Sequence, residues 1–389
     1  MYVIFPHISS QEGLILLPYR FQNKFEPHAC DFIEDIIDGM RDWVRVINKD
    51  DTIIFVNKPM REALGMDIVG QKCYEIFGRT SPCPNCVSKR DLPNWTKFKE
   101  EAISGRVFSV TSSPLNSTGN DSEESVIEVL HDITELKILS QALERKNERL
   151  KEDLSMARML QCSLLPKETR VYDKLDFSFI YRPCETLGGD FLDIFKIDDN
   201  HIGLYIADVS GHGVAASMLT MFLRTALDKS TISPTQSLTQ LFEDYNKNAF
   251  VTELYIAVFY GVIDTKNYTI TYSNAGLNVC PILYSKDDFQ ILRAPGIPIS
   301  NWVENPNYVE VTININPNDR LFIYTDGIIE IRNKKNKQFG EERVVEHLIN
   351  SQLQPAQTLS KLIEKAIAFS DNDQNDIMDD ITVALLEIK

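Results

Sequence analysis

The sequence predicts a multidomain protein: a mixed α+β domain first, then a helical coiled-coil linker, and last a layered α/β sandwich. Three observations predict this order. A β-hairpin pattern with flanking short helices lies near the start, a long stretch without helix breakers follows, and strand and helix patterns alternate from residue 167 onward. A chain of 389 residues also exceeds one ordinary core. We place the segments at residues 1–27 (unassigned), 28–134 (first domain), 135–165 (linker) and 166–389 (last domain).

The composition is that of a globular protein, and it restricts the partners. Hydrophobic residues make up 43% and charged residues 25% of the chain. The net charge of −16 argues against nucleic acid, because phosphate backbones are bound through an excess of Lys and Arg. No apolar run approaches the ~18 residues of a membrane span, so we expect no membrane association. Seven cysteines, without a general paired pattern, favour a reducing, cytoplasmic location.

The first domain begins with an amphipathic helix and a hairpin. Residues 31–40 place apolar side chains on one helical side, and two short β-branched runs flank a polar turn. A short helix stopped by Gly65 and two later strands complete the pattern. The predicted elements are a helix at 31–40, strands at 44–47 and 53–56, a helix at 60–64, and strands at 106–111 and 126–130.

This order resembles a PAS sensor domain over roughly residues 30–135. The matching segments are residues 50–57, Leu64 with Gly65, and residues 131–135, where the Asp-Ile-Thr ending of a strand leads into a helix. PAS domains bind small ligands, cofactors or other PAS domains. The resemblance does not choose among these ligands.

The linker carries a heptad pattern. Its seam residues recur every seven positions on two interleaved tracks, with Leu136, Leu143, Leu150 and Ala157 on one and Ser140, Asn147, Leu154 and Gln161 on the other. This spacing predicts a parallel dimeric coiled coil, in which Asn147 fixes the register, and therefore a homodimer. The alternative is a solvated helix that packs along one leucine stripe within its own chain. Leu165 and Pro166 end the helix.

The last domain alternates strands with two pairs of helices, which favours a layered sandwich. Ser237 is a candidate N-cap of the second helix. The predicted strands are 177–181, 191–197, 202–209, 254–263, 268–273, 280–284, 309–313, 321–324 and 381–388, and the predicted helices are 214–228, 237–248, 341–349 and 356–369.

Four short acidic motifs stand out in this domain. In three of them an Asp lies where an apolar β-like run ends or begins, which can gather several carboxylates at one edge of a sheet. Crowded carboxylates repel one another unless protons or cations intervene, and Mg²⁺ and Mn²⁺ prefer oxygen ligands. The motifs therefore predict a metal-dependent enzyme. They are residues 188–191 (Gly-Gly-Asp-Phe), 208–213 (Asp-Val-Ser-Gly-His-Gly), 325–327 (Thr-Asp-Gly) and 379–382 (Asp-Asp-Ile-Thr).

With these motifs, the domain resembles the PPM family of metal-dependent Ser/Thr protein phosphatases, in the bacterial SpoIIE/RsbU group. The further matching segments, all in the family's order, are residues 157–161, 164–166, 274–276 and 339–343. The resemblance implies an α/β/β/α sandwich and phosphoester hydrolysis by water activated on two Mn²⁺ or Mg²⁺ ions. Bound metal lowers the pKa of water towards about 7, which makes a nucleophile available near neutral pH.

The resemblance also assigns roles to individual residues. Asp208 matches the carboxylate that bridges the two ions, and Val209 the position that lends a backbone carbonyl. Asp326 and Asp379 match ligands of the first metal, and Asp190 the acid near the second, in contact directly or through water. These four aspartates are the candidate catalytic residues.

Four further positions, in or near the matching segments, have weaker assignments. Asp193 and Asp380 match auxiliary positions around the metals. His212 fits either a general acid or an orienting hydrogen bond. Leu277 stands where the group usually has His, which is not a metal position, so hydrolysis should survive.

The resemblances together imply a sensor-regulated protein serine/threonine phosphatase. In the SpoIIE/RsbU group the substrate is typically a phosphorylated STAS-type anti-sigma factor antagonist. The alternative is a catalytically degenerate phosphatase domain that acts as a PAS-regulated binding or scaffold protein. A sensor whose main function is ligand or cluster binding is a third option. The intact acids of all four motifs favour the enzyme.

The first domain carries a second candidate site, a set of cysteines. Cys73, Cys83 and Cys86 lie close in sequence, and Cys30 beside His28 could complete a four-ligand set for zinc or an iron–sulfur cluster. Because only one Cys-x-x-Cys is present, a redox-active thiol pair and a purely structural use remain open.

Overall fold

The computed structural model describes residues 28–82, 97–115, 125–167, 174–248, 253–286, 288–370 and 379–389. The chain divides into two units, with the boundary along the chain between Lys146 and Asn147. Each unit has its own apolar cluster.

The first unit contains one five-stranded antiparallel sheet with the order β2-β1-β5-β4-β3. The predicted hairpin is present, because β1 pairs directly with β2. The strand β3 was not predicted from the sequence. The elements are α1 (His28–Asp38), β1 (Trp43–Ile47), β2 (Ile53–Val56), α2 (Lys58–Leu64), a 3₁₀ turn (Glu75–Phe77), β3 (Lys97–Ile103), β4 (Arg106–Leu115) and β5 (Ser125–Asp132).

Asn57 holds three of these elements together. Its side-chain oxygen accepts hydrogen bonds from the amides of Val44 (2.9 Å) and Met60 (3.4 Å), so it caps α2 while fixing β1. Its side-chain nitrogen donates to the carbonyls of Ile37 (3.1 Å) and Asp42 (2.9 Å). This fully buried amide therefore has partners for both its oxygen and its nitrogen.

A charged network lies on the inward face of this sheet. Arg45 Nη2 lies 2.6 Å from Glu128 Oε2 and 3.3 Å from Glu101 Oε2, and all three side chains are buried. Lys99 Nζ approaches the same two carboxylates at 3.4 and 3.6 Å, and Ser112 donates a hydrogen bond to Glu128 (3.0 Å). Burial opposes ionisation of Glu128, but the charges of Arg45 and Lys99 prevail and lower its pKa.

The helix α3 (Thr134–Leu164) runs from the first unit into the second. The predicted helix is therefore present, one residue longer at its start. Leu136, Leu143 and Leu150 of the heptad pattern are 65%, 60% and 56% exposed. Gln161 is instead buried, so its assignment to the coiled-coil seam was wrong.

The second unit stacks two five-stranded antiparallel sheets. Helices α4 and α5 pack on the first sheet, of order β13-β10-β9-β8-β7, and α7 and α8 pack on the second, of order β12-β11-β14-β15-β6. One continuous apolar cluster fills the space between the layers. The elements are β6 (Leu175–Arg182), β7 (Asp190–Lys196), β8 (His201–Val209), α4 (Val214–Ala226), α5 (Pro234–Lys247), β9 (Ile256–Asp264), β10 (Thr269–Ala275), β11 (Ile282–Tyr284), β12 (Phe289–Ile291), β13 (Val311–Asn314), β14 (Arg320–Tyr324), α6 (Gly327–Glu330), α7 (Glu341–Asn350), α8 (Pro355–Phe369) and β15 (Ile381–Ile388).

The start of α5 differs from the prediction. Ser233, rather than Ser237, is the N-cap, and Pro234 occupies the first helical turn. Ser237 is fully buried inside the helix, where its hydroxyl donates to the carbonyl of Asp228 at 2.8 Å. Within the part of the chain that the structure describes, no helix is long and apolar enough to cross a membrane.

Candidate active site

Asp190 and Asp208 lie opposite each other on neighbouring strands. Asp190 begins β7, Asp208 lies near the end of β8, and the antiparallel register pairs these two residues directly. The next strand, β9, pairs Ala257 with Asp208. Two of the four acidic motifs therefore meet at one end of the first sheet.

The other two motifs meet at one end of the second sheet. Asp326 follows β14, and Asp379 precedes β15, which is the antiparallel partner of β14. Just beyond the last paired residues, the amide of Thr325 donates to the carbonyl of Thr382 at 2.9 Å. These two motifs are therefore held side by side by backbone pairing.

Asp190 joins the two sheets. Its Oδ2 accepts hydrogen bonds from the hydroxyls of Thr325 (2.7 Å) and Thr382 (2.6 Å), which belong to the motifs of the second sheet. Asp190 is 2% exposed, so these bonds are shielded from water. Through Asp190 and its pairing with Asp208, the structure brings all four acidic motifs to one place.

Asp380 organises the backbone that leads into β7. Its Oδ2 accepts from the amides of Gly189 (2.6 Å) and Asp190 (3.3 Å), and its Oδ1 accepts from the amide of Cys184 (2.8 Å). Asp380 is itself buried. Its carboxylate therefore holds the loop that presents Asp190.

Two glycines allow this close approach. A Cβ at Gly189 would lie 2.7 Å from the carbonyl oxygen of Val209, and one at Gly327 would collide with the carbonyl oxygen of Asp380. A side chain at either position would force the backbone segments of the site apart. Glycine is therefore required at both positions because the neighbouring backbone leaves no room for a side chain.

The electrostatics of the site are those of crowded acids. Burial, followed by the charges of Asp326, Asp379 and Asp380, raises the pKa of Asp208 to about 7. Burial and the charge of Asp208 also raise the pKa of Asp190, although the two threonine hydroxyls oppose the shift. Among the described residues, no Lys or Arg forms an ion pair with these aspartates. A cation that binds here would relieve the repulsion.

This donor set fits a hard divalent cation. Asp208, Asp326, Asp379 and Asp190 offer carboxylate oxygens, and Val209 offers a carbonyl, which are the ligand types that Mg²⁺ and Mn²⁺ prefer. In the described ranges, no three Asp, Glu, His or Cys side chains form a preassembled metal cage.

Gln161, at the end of α3, contacts the site, and sequence reasoning missed this role. Its side-chain nitrogen donates to the carbonyl of Gly188 (2.8 Å), and the Gly188 amide donates back to its oxygen (3.3 Å). The same carboxamide contacts the hydroxyls of Thr220 (3.3 Å) and Tyr181 (3.4 Å). The inclusion of residues 157–161 in the family resemblance was the signal that could have revealed it.

Asn278 is a second missed residue. Its side-chain nitrogen donates to Asp326 Oδ2 at 2.6 Å and so orients a candidate metal ligand. The preceding residue, Leu277, is buried in the apolar core, and its backbone amide and carbonyl both bond to the side chain of Asn274. The position that usually carries His therefore contributes packing here.

Two other candidates lie apart from the acidic group. Asp193 is buried and forms an ion pair with Lys229 (2.7 Å), whose ammonium lies over the ring of Phe195. His212 is largely exposed, and its Nδ1 lies 3.0 Å from Glu185 Oε1. Asp193 therefore already has a cation, and His212 has an orienting partner at the mouth of the site.

The cysteine set is only partly visible. Cys73 is buried in the apolar cluster of the first unit. Cys83, Cys86 and the side chain of Cys30 lie outside the described residues. The zinc or iron–sulfur prediction therefore stays a prediction.

Comparisons with known proteins agree with both resemblances. Residues 198–389 match the family described as Stage II sporulation protein E (SpoIIE), and residues 41–135 match the PAS domain family. The SiaA PP2C domain of Pseudomonas aeruginosa superposes with a TM-score of 0.56 at 17% identity, covering 63% of this chain and 98% of that one. At this identity the likeness shows the fold, which is that of a PP2C phosphatase domain.

Three curated proteins are similar in sequence. Protein IcfG of Synechocystis sp. is 25% identical over half of this chain, and the phosphoserine phosphatase RsbP of Bacillus subtilis is 28% identical over 46% of it. The match spans only 35% and 46% of the length of these two proteins. The phosphoserine phosphatase RsbU of Bacillus subtilis is 26% identical over 64% of this chain and 74% of its own length.

Proposed function

We propose that this chain, which joins a PAS domain to a phosphatase domain of the SpoIIE family, is a sensor-regulated protein serine/threonine phosphatase. Its substrate is a phosphoserine or phosphothreonine on a protein, and the group resemblance suggests a STAS-type anti-sigma factor antagonist. Two similar proteins are named phosphoserine phosphatases, which supports this substrate class.

One observation carries the proposal. Acids from four distant segments meet at the same edge of the two sheets, without a lysine or arginine partner among the described residues. An inert structural cluster would neutralise such buried charges with its own cations. A cluster without them is suited to binding metal and, with the metal, an anionic phosphate.

Each residue of the site has its own role in this proposal. Asp208 would bridge two Mn²⁺ or Mg²⁺ ions, with Asp326, Asp379 and the Val209 carbonyl around the first and Asp190 near the second. When bound, the ions supply a water of lowered pKa and offset the charge of the phosphoryl oxygens. Asp380 holds the loop of Asp190.

Regulation would pass through α3. We propose that Leu136, Leu143 and Leu150, which are exposed in the single chain, pair with a second copy in a coiled coil with Asn147 at its seam. The same helix ends at Gln161, which bonds to Gly188, two residues before Asp190. A change in helix pairing would thereby reach the loop that presents Asp190. The proposed setting is the cytoplasm.

The test is a phosphatase assay on the full chain. With Mn²⁺, we expect hydrolysis of p-nitrophenyl phosphate and of a phosphoserine peptide, and loss of both with EDTA. Asp208→Asn should lower kcat/KM by at least about 100-fold, because it removes the bridging charge. Asp199→Asn is the matched control, because this exposed Asp lies in the turn between β7 and β8, at the opposite end of these strands from the Asp190–Asp208 pair, and it should retain most activity. A folded wild-type chain that hydrolyses neither substrate would favour the degenerate scaffold.

A further inference from the structure

Four exposed apolar side chains lie near the loop that follows Asp208, either directly after it in the chain or beside its contact with Tyr255. Val214, Met218, Trp302 and Val303, here called the rim patch, are 52%, 68%, 59% and 38% exposed. A tryptophan exposed to this extent is unusual, since large aromatic side chains are mostly buried on average. Whether Trp302 can contribute to binding depends on how close it lies to the acidic site.

Trp302 is tied to the backbone that carries Asp208. Its ring packs edge-on against Tyr255, with centroids 5.0 Å apart. Tyr255 exchanges two hydrogen bonds with Ser210: its amide donates to the Ser210 hydroxyl (2.9 Å), and its carbonyl accepts from the Ser210 amide (3.0 Å). Ser210 is two residues beyond Asp208. Trp302 is therefore one side chain away from the acidic loop.

Strand pairing places the Trp302 segment at the same end of the sheet as Asp208. Val209 pairs with Ile256 across β8 and β9, and Ile256 forms an isolated bridge with Ile299. Trp302 follows Ile299 by three residues. The segment therefore lies next to the start of β9, the strand that pairs with the Asp208 end of β8.

Val214 and Met218 follow the loop along the chain. They lie one turn apart on α4, which begins directly after Gly213. The opposite face of this helix, with Ala216 and Leu219, is buried in the core. Val214 and Met218 therefore point away from the core at the mouth of the site.

Three glutamates accompany the rim patch. Glu185 approaches His212 at the mouth of the site, and Glu253 and Glu304 are exposed two residues from Tyr255 and Trp302. The rim thus combines apolar area with negative charge. A complementary partner carries apolar residues and Lys or Arg.

We propose that the rim patch docks the phosphoprotein substrate, with Trp302 as its aromatic anchor, and that it selects apolar and basic residues beside the phosphorylated Ser or Thr. This inference rests on the proposed phosphatase function. A phosphoserine holds its phosphate only a few atoms from the backbone, so the residues on either side of it must cover the rim. Tryptophan is also enriched among the residues that contribute most to binding at protein interfaces.

The test compares two phosphoserine peptides of equal length with p-nitrophenyl phosphate, on the full chain with Mn²⁺. One peptide carries Leu and Lys around the phosphoserine, and the other Gly and Glu. We expect wild type to prefer the first by about tenfold in KM. Trp302→Ala should abolish this preference by raising the KM of the first peptide about tenfold relative to that of p-nitrophenyl phosphate. The control is Phe289→Ala, 43% exposed on β12, which pairs with β11 at the Arg320 end of β14, away from Asp326. It should keep the preference.

Three outcomes would overturn the proposal: an unchanged peptide preference in Trp302→Ala, an equal loss for p-nitrophenyl phosphate, or a change of oligomeric state on size exclusion that assigns the patch to a second copy. Fluorescence anisotropy of the labelled peptides separates docking from catalysis. If wild type hydrolyses no substrate, the phosphatase function fails. Docking still stands if Trp302→Ala weakens binding of the Leu/Lys peptide, and it falls if binding is unchanged.

Discussion

Buried carboxylates occur in both units, and their surroundings differ. In the first unit, Glu101 and Glu128 meet Arg45 at 3.3 and 2.6 Å, and the pKa of Glu128 is lowered. In the second, Asp190 and Asp208 face other acids, and their pKa values are raised, that of Asp208 to about 7. Burial alone raises the pKa of every carboxylate, so the cation makes the difference.

Buried charge therefore serves a different purpose in each unit. The network around Arg45 contains its own positive charges and needs nothing from solution. The acidic edge of the second unit has no such partner among the described residues, and a cation from solution would supply the missing positive charge. Buried acids without a counter-charge therefore indicate a binding site more strongly than burial or acidity alone.

Removing Arg45 should have the largest effect on stability. Arg45→Met leaves two buried carboxylates without their main partner, and we expect it to lower the free energy of unfolding of the first unit by about 3–5 kcal/mol. Hydrogen-exchange mass spectrometry on the full chain measures this loss in peptides from β1 and β5. The triple variant Arg45→Met, Glu101→Gln, Glu128→Gln should recover part of it. Unchanged protection in Arg45→Met would mean that the network adds no stability.

Metal should act on the second unit alone. Free Mn²⁺ at 100 times its Kd should stabilise that unit by about 2.7 kcal/mol relative to EDTA, because the ion binds only the folded site. Hydrogen exchange in β7 and β8 should slow, while β1 and β5 stay unchanged. Asp208→Asn should remove most of this gain. If Mn²⁺ slowed hydrogen exchange equally in both units, the metal would not act on the second unit alone.

The two units should respond to pH with opposite slopes. The pKa of Glu128 is lowered from 4.5, so its contribution is present above about pH 4.5 and is lost as the pH falls through its folded value. The pKa of Asp208 rises from 3.8 to about 7, so the metal-free folded unit holds a proton that the unfolded chain has released. Its stability should fall as the pH rises from about 4 to 7. Hydrogen exchange in EDTA, corrected for the intrinsic exchange rate, measures how the stability of each unit depends on pH. If the stability of both units changed with pH in the same direction, these two pKa shifts would be refuted.

The smallest effect is expected at Asn278. Asn278→Ala removes the hydrogen bond to Asp326, and we expect Mn²⁺ affinity to fall about fivefold, roughly 1 kcal/mol. Titration followed by electron paramagnetic resonance of free Mn²⁺ measures this without reference to activity. Asn305→Ala, another exposed asparagine, is the control. An affinity unchanged by Asn278→Ala would remove Asn278 from the support of the site.

The sequence predicted elements whose signals are local. The β1–β2 hairpin and the helix stopped by Gly65 follow from turn and cap chemistry within a few residues. The strand β3 was missed because its inward positions include Lys99 and Glu101, which periodicity assigns to solvent. Only the Arg45 network, distant in sequence, makes those positions compatible with burial.

The residues of the site also divide into those with a local sequence signal and those that depend on distant contacts. The aspartates were identifiable because each belongs to a short motif. Gln161 and Asn278 were not, because their roles depend on contacts with Gly188 and Asp326, 27 and 48 residues away. At Gln161 the heptad rule also gave a competing assignment, and the buried hydrogen bonds prevailed over it.

The long helix α3 is fastened at both ends. Where the helix begins, the Val107 amide donates a hydrogen bond to the Thr134 hydroxyl at 2.9 Å. Near the end of the helix, the Gln161 side chain donates a hydrogen bond to the Gly188 carbonyl. Successive residues of an α-helix are turned by about 100° around its axis. A rotation of α3 by one such step would therefore break the hydrogen bonds between Gln161 and Gly188, so these bonds fix how the helix is turned about its axis at this end.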